Sequence, residues 1–151
     1  MKPVPIRRVT SCLAEVVAEG PETLLYRQPV RSAPRAWKLL RPLLEHRPTE
    51  EFWVLLLDSK HRILGLAQVS VGSLSSSLVH PREVFGPAVR MGAAAVLCAH
   101  NHPSGDPEPS AEDVDVTRRL LDSGRLLGIP LLDHIVLGDG SYLSLRERMG
   151  F

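Results

Sequence analysis

The chain shows two repeat lengths of apolar positions, one suited to strands and one to helices. Phe52-Trp53-Val54-Leu55-Leu56-Leu57 is an apolar run of strand length, Asp58-Ser59-Lys60-His61 is a polar turn, and Ile63 to Val71 reads as a returning strand. Together they predict a hairpin. Upstream, Ser32 before Ala33-Pro34 is a helix start, with Trp37, Leu40 and Leu44 near one face. Pro42 should kink this helix or stop it early, and the helix should end before Glu50. The first thirty residues alternate poorly: Val4 to Val9 fits a strand, and Cys12 to Ala18 fits a strand or a short helix. That segment is set apart from a single domain over residues 31–151.

Beyond the small, polar stretch Gly72 to Ser77, His80-Pro81-Arg82-Glu83 opens a second helix with proline in its tolerated first turn, and Pro87 should distort it. Gly92 and the run Ala93 to Ala99 suggest a central strand covered on both faces, with His100 at its end. Three prolines and Gly105 make Asn101 to Pro109 a rigid loop. Ser110 then begins a helix through Val114, Thr117, Leu120, Leu121 and Leu127, stopped by Gly128 and Pro130. Leu131 to Leu137 is a strand, Gly138-Asp139-Gly140 a hairpin turn, and Ser141 to Leu145 a short partner strand. Two hairpins among interleaved helices predict a mixed sheet flanked by helices, of class α/β or α+β.

The end of the central strand carries chemistry. His100 and His102 project the same way from an extended segment, about 6.6 Å apart along it, so two imidazoles can converge on one ion. Zinc needs a third donor from another direction, and Asp113 supplies it from the first turn of the following helix, where the helix dipole also favours a carboxylate. Read singly, the two histidines are ordinary loop residues, and Ser110-Ala111-Glu112-Asp113 is a helix cap with Asp113 at its third position. Cys98 shares the face of His100 and His102 in a regular strand, but it lies roughly 13 Å from His102 along that strand. A buried small hydrophobe is the better reading of it. The H-x-E and P-C-x-x-C pair of zinc deaminases is absent from the sequence.

Composition narrows the setting. With 44% hydrophobic and 23% charged residues the chain is that of a folded globular domain rather than a disordered one. Eighteen basic against seventeen acidic residues leave a net charge of +1, which gives no general attraction for nucleic acid. Two cysteines, no apolar leader and no apolar run approaching the ~20 residues of a membrane span predict a cytoplasmic protein with no membrane role.

Taken together, His100-Asn101-His102, seven residues, Ser110, two residues and Asp113 form the H-x-H-x7-S-x2-D signature of the JAMM (MPN+) metalloproteases. The segments His80-Pro81-Arg82-Glu83, His100 to Pro107 and Leu132-Asp133-His134-Ile135-Val136 more closely resemble RadC proteins within that group, over roughly residues 50–151. The resemblance implies an MPN-type mixed sheet with cytidine-deaminase-like layering, and one zinc held by His100, His102 and Asp113. It further implies a metallopeptidase or isopeptidase-like hydrolase acting on an amide bond of a protein or peptide. Nothing before Glu50 resembles the helix-hairpin-helix-like region that RadC proteins commonly carry. The DNA-repair label of RadC proteins suggests a nucleic-acid-associated factor as an alternative, and the scaffold role of some MPN folds suggests a zinc-stabilised interaction module. A sheet edge in such a fold can pair with a second copy, giving a homodimer, or with a substrate strand.

In this chemistry zinc acidifies water and polarises a carbonyl, a glutamate carries the proton, and Ser110 donates a hydrogen bond to the oxyanion or water. The family places the glutamate upstream, at the start of a strand, where Glu50 and Glu51 are the candidates. Strand neighbours point to opposite faces, so at most one aims at the metal. RadC sequences resemble Glu-x-Phe followed by an apolar strand, which selects Glu50; other JAMM proteins place the glutamate directly before the apolar run, which would select Glu51. His80 reads as a helix-start residue or a partner of a ligand, and His134 as a satisfied core histidine or an orienting one. His46 and His61 read as solvated turn residues, and Arg146-Glu147-Arg148 as an exposed face.

Overall fold

The computed structural model describes residues 25–72 and 79–151, so the strand expected over Val4 to Val9 and the strand or short helix expected over Cys12 to Ala18 lie outside the described residues. Nine elements follow in order: α1 (Ala33–Leu44), β1 (Glu51–Leu57), β2 (Ile63–Val71), α2 (Pro81–Met91), β3 (Ala95–Asn101), α3 (Ala111–Leu127), β4 (Leu131–Leu137), β5 (Tyr142–Ser144) and α4 (Leu145–Met149). They build one five-stranded sheet in the order β2-β1-β3-β4-β5. Only β3 and β4 run parallel, joined by the α3 crossover; the other neighbours are antiparallel. This is the mixed sheet flanked by helices that the two hairpins predicted.

Alternation along the strands sorts the core into two layers. Leu55, Leu57, Leu97, Ile135 and Leu137 pack with Ala36, Leu40 and Leu44 of α1 on one face. Phe52, Val54, Leu56, Val96 and Cys98 pack with Val84, Phe85 and Ala88 of α2 and with Val116 and Leu120 of α3 on the other. Strand β3 is buried at every position, as a strand covered on both faces requires. The second face continues past Cys98 to His100, so the metal-ligand candidates sit at the rim of an apolar layer. Among the described residues no helix is long and apolar enough to cross a membrane.

Several local expectations change. Helix α1 runs through Pro42, and α2 runs through Pro87. The carbonyls each proline leaves unpaired, those of Lys38 and Glu83, belong to exposed residues where water can satisfy them, so neither helix breaks. Strand β3 begins at Ala95 rather than Ala93 and includes His100 and Asn101. The buried face of α3 is Asp113, Val116, Thr117, Leu120 and Gly124, whereas Leu127 is half exposed. The final strand is only three residues long, and Arg146-Glu147-Arg148 lies in the short helix α4 that follows it. Ser144 starts that helix by accepting from the Glu147 amide at 3.2 Å.

Candidate metal centre

Three segments meet at the carboxyl end of β3. The strand delivers His100; the loop after it delivers His102, whose amide donates to the Leu137 carbonyl at 2.8 Å. The loop is held against the β4–β5 turn, where the Asp139 amide donates to the Gly105 carbonyl at 2.8 Å. Gly138 makes this contact possible: a Cβ there would lie 2.3 Å from the Gly105 carbonyl oxygen. Arg148 of α4 adds a two-pronged clamp on Glu108 of the same loop, at 2.7 and 3.0 Å, so the exposed basic run has a structural task. Helix α3 then delivers Asp113 through a capping box. The Asp113 amide donates to Ser110 Oγ at 3.1 Å, and the Ser110 amide donates to Asp113 Oδ2 at 2.8 Å.

The donor atoms converge closely. His100 Nε2 and His102 Nε2 are 3.0 Å apart, His102 Nε2 and Asp113 Oδ2 3.2 Å, and His100 Nε2 and Asp113 Oδ1 3.3 Å. Ligands at ~2.0–2.1 Å from a tetrahedral zinc stand about 3.3 Å from one another, so these separations, two of which reach different oxygens of Asp113, have the scale such a site needs. The proton inventory points the same way. His102 Nδ1 lies 2.8 Å from the Asp106 carbonyl, which only accepts, so the neutral ring carries its proton there and offers a lone pair at Nε2. Lone pairs that crowd together need a cation between them. The three residues therefore fit a metal ion.

Electrostatics follow from the same contacts. Without a cation, burial opposes ionisation of Asp113, but hydrogen bonds from His100 and His102 in their protonated forms outweigh it and hold its carboxyl far below the usual carboxylate range. In return, the Asp113 hydrogen bond raises the His102 imidazole above its ordinary value, against the opposing effect of burial. Burial, followed by the neighbouring His100, keeps His134 well below the ordinary imidazole range. The Cys98 thiol, fully buried in the apolar layer, is pushed up by burial alone, as expected of a core residue rather than a ligand.

The two glutamates separate as strand alternation requires. Glu50 Oε1 lies 3.8 Å from His102 Nε2, on the side of the candidate ligands. Glu51 is buried on the opposite face, where its carboxylate accepts from Trp53 Nε1 at 3.0 Å and Gln68 Nε2 at 3.1 Å. A cleft of about 290 Å³ opens beside the donors, lined by Glu50, His102, Pro103, Ser104, Ser110, Glu112 and Asp113. Ser110 Oγ uses a lone pair in the cap, which leaves its proton to donate into the cleft. Glu112, exposed at the helix start, adds a carboxylate that sequence reasoning did not single out.

Sequence reasoning also passed over Asn101. Lying between two candidate ligands, it must face the other way, and there its side chain holds the chain that leads into β1. Asn101 Oδ1 accepts from the Glu51 amide at 2.8 Å, and Nδ2 donates to the Thr49 carbonyl at 3.0 Å. Glu50 is thereby fixed from both sides. His80 is a helix-start residue, its Nδ1 accepting from the Arg82 amide at 3.2 Å. His46 is exposed and His61 half-buried, each in a left-handed turn conformation with φ of 65° and 59°. His134 is a buried core histidine whose Nε2 stands 2.8 Å from His100 Nδ1.

A family model for the RadC-like JAB domain matches residues 30–151. The chain belongs to this family. A UPF0758 protein of Geotalea uraniireducens is 61% identical over 104 residues, 69% of this chain and 45% of that protein. One of Symbiobacterium thermophilum is 53% identical over 116 residues, covering 76% and 50% respectively. One of Trichlorobacter lovleyi is 62% identical over 98 residues, covering 65% and 43%. The chain thus spans about half the length of the curated relatives it matches. Their shared name denotes a family and assigns no activity. In this RadC-like JAB domain the His100, His102 and Asp113 donor atoms all lie within 4.8 Å of one another.

Proposed function

We propose that this RadC-like JAB domain is a zinc-dependent hydrolase that cleaves an amide bond in a protein or peptide, as a metallopeptidase or isopeptidase-like enzyme. The observation that carries the reading is the convergence of two imidazole nitrogens and a carboxylate at 3.0–3.3 Å beside an open cleft. A zinc ion held by His100, His102 and Asp113 would supply Lewis acidity to a substrate carbonyl and acidify a water in its remaining position. The chain's own residues do the rest. Glu50, 3.8 Å from His102 Nε2, takes the water proton and returns it to the leaving amine. Ser110 donates a hydrogen bond to the developing oxyanion or to the water. Asn101 holds the main chain on both sides of Glu50, which restricts where that carboxylate can go.

The proposal includes a cytoplasmic setting, consistent with Cys98 being free and buried. It does not rest on DNA, which a net charge of +1 does nothing to favour as a partner. The test is a metal-dependent cleavage screen over peptide and isopeptide substrates, comparing wild type with His100→Ala. Cleavage that is abolished by chelation, restored by zinc and absent in His100→Ala is the expected result. Stoichiometric zinc in the wild type with no cleavage across the screen would leave a zinc-stabilised interaction module instead.

A further inference from the structure

The metal-ligand candidates are not equally constrained. His102 has its proton placed by a carbonyl, whereas His100 Nδ1 faces another imidazole, which could be either donor or acceptor. The ambiguity is resolved two residues further in. His134 Nδ1 lies 2.7 Å from Thr117 Oγ1, and Thr117 Oγ1 donates to the main-chain carbonyl of Asp113 at 2.7 Å. A carbonyl can only accept, so the single hydroxyl proton of Thr117 is committed to Asp113. Thr117 must then accept from His134, which places the His134 proton on Nδ1 and a lone pair on Nε2. That lone pair accepts from His100, which places the His100 proton on Nδ1 and leaves a lone pair at Nε2, the atom that faces His102 and Asp113.

We propose that Thr117 and His134 are positioning residues that fix the tautomer of His100, so that its Nε2 is presented as a metal ligand by a hydrogen-bond relay starting at the main chain of Asp113. The inference rests on the metal-site reading above and deepens it. The path is closed: Asp113 anchors the relay with its carbonyl and faces its far end with its carboxylate. Every member is buried, with His100 and Thr117 at 0% exposure and His134 at 1%, so water does not substitute for a missing partner. Phe52 fixes the ring planes, stacked on His100 at 6.0 Å and 10° and edge-on to His134 at 5.1 Å and 63°. Reversing the relay would put a proton on His100 Nε2, pointing at the place a metal must occupy.

Thr117→Val keeps the shape and removes the hydroxyl. The His134 Nδ1 proton then has no acceptor, and the less costly arrangement moves the proton of each ring from Nδ1 to Nε2, because a buried N–H without a partner is rarer than an unused lone pair. The test reads histidine ring nitrogens by ¹⁵N NMR in metal-free protein above the imidazole titration range, together with zinc affinity by competition with a chromophoric chelator. The wild type should carry Nδ1 protons on His100 and His134, Thr117→Val should carry Nε2 protons on both, and Thr117→Ser should match the wild type. Zinc affinity should fall about 10–100-fold in Thr117→Val and return in Thr117→Ser. An Nε2 proton on His100 in the wild type would overturn the proposal even if the valine variant failed to fold. Equal zinc affinity in all three proteins would also overturn it. A wild type that has the expected tautomers but binds no zinc would instead strike the metal reading on which the proposal rests.

Discussion

Asp113 and Asp133 are both buried carboxylates beside a serine that starts a helix, yet their environments drive them in opposite directions. Asp113 faces His100 and His102 and is held far below the usual carboxylate range despite its burial. Asp133, on the other face of the sheet, is raised by burial, which the Ser144 hydroxyl and the Arg146 and His134 amides offset only in part. Neutral dipoles can solvate a buried charge without fully replacing water; rings that accept a proton change the balance. The first aspartate faces two imidazoles that the proposed metal would join, and the second braces β4 against the start of α4.

The largest expected effect separates them by metal. Asp113→Ala and His102→Ala should lose stoichiometric zinc, because two remaining ligands hold the ion too weakly, while Asp133→Ala should keep it; elemental analysis after gel filtration reads the difference. Zinc retained by both ligand variants would show that the ligand set is wrong.

The same contrast recurs between Glu50 and Glu51, one facing the cleft and one bound to Trp53 and Gln68. Glu50→Gln should retain zinc and lose turnover by about 10²–10⁴-fold, because glutamine cannot take the water proton. Glu51→Gln should leave turnover nearly unchanged. The reverse pattern would move the proton carrier to Glu51, and full activity in both would remove it.

Stability should report the brace. Asp133→Ala leaves the Ser144 hydroxyl and two amides without their acceptor, at a cost of about 1–3 kcal/mol in chemical denaturation. The pH dependence has opposite signs for the two aspartates in metal-free protein. Asp133, raised in the folded state, makes the fold less stable as pH climbs past the ordinary carboxylate value, and Asp133→Asn should remove that decline. Asp113, lowered in the folded state, contributes stability that is present above the ordinary value and lost as pH falls below it. Denaturation curves taken between about pH 3 and 6 separate these slopes.

The smallest effect concerns the serine caps. Ser110→Ala should cost about 1 kcal/mol and keep zinc, with any additional loss of turnover measuring its hydroxyl's role in the cleft. Ser144→Ala should cost more, because Ser144 also donates to Asp133 at 2.8 Å. Equal costs would mean that the Asp133 contact adds nothing to the cap.

What was legible in the sequence is what depends on local spacing. His100 and His102 share a face because strands alternate, and Asp113 is close because a rigid loop returns the chain to a helix start. Parity let only one of Glu50 and Glu51 face the same way as the histidines, and the resemblance to Glu-x-Phe in RadC sequences selected Glu50. The relay was not legible. Thr117 looked like one more position on the apolar side of α3, and its meeting with His134 depends on the parallel register that sets Cys98 opposite His134. Asn101 was hidden for a similar reason: its partners lie some fifty residues upstream. Helix α4 is five residues long, too short to show a helical period, so its basic run looked like plain surface.

The crossover from β3 through α3 to β4 has one further implication, in the currency of inheritance. His100, His102, Asp113, Thr117 and His134 all come from that one contiguous stretch, while Glu50 arrives from the separate β1–β2 hairpin. On the proposed function, substitutions at the start of the hairpin would therefore retire the chemistry while the crossover kept its grip on an ion, and a descendant silenced that way would survive as a metal-bearing scaffold with its fold intact. Damage to the crossover would remove both properties at once.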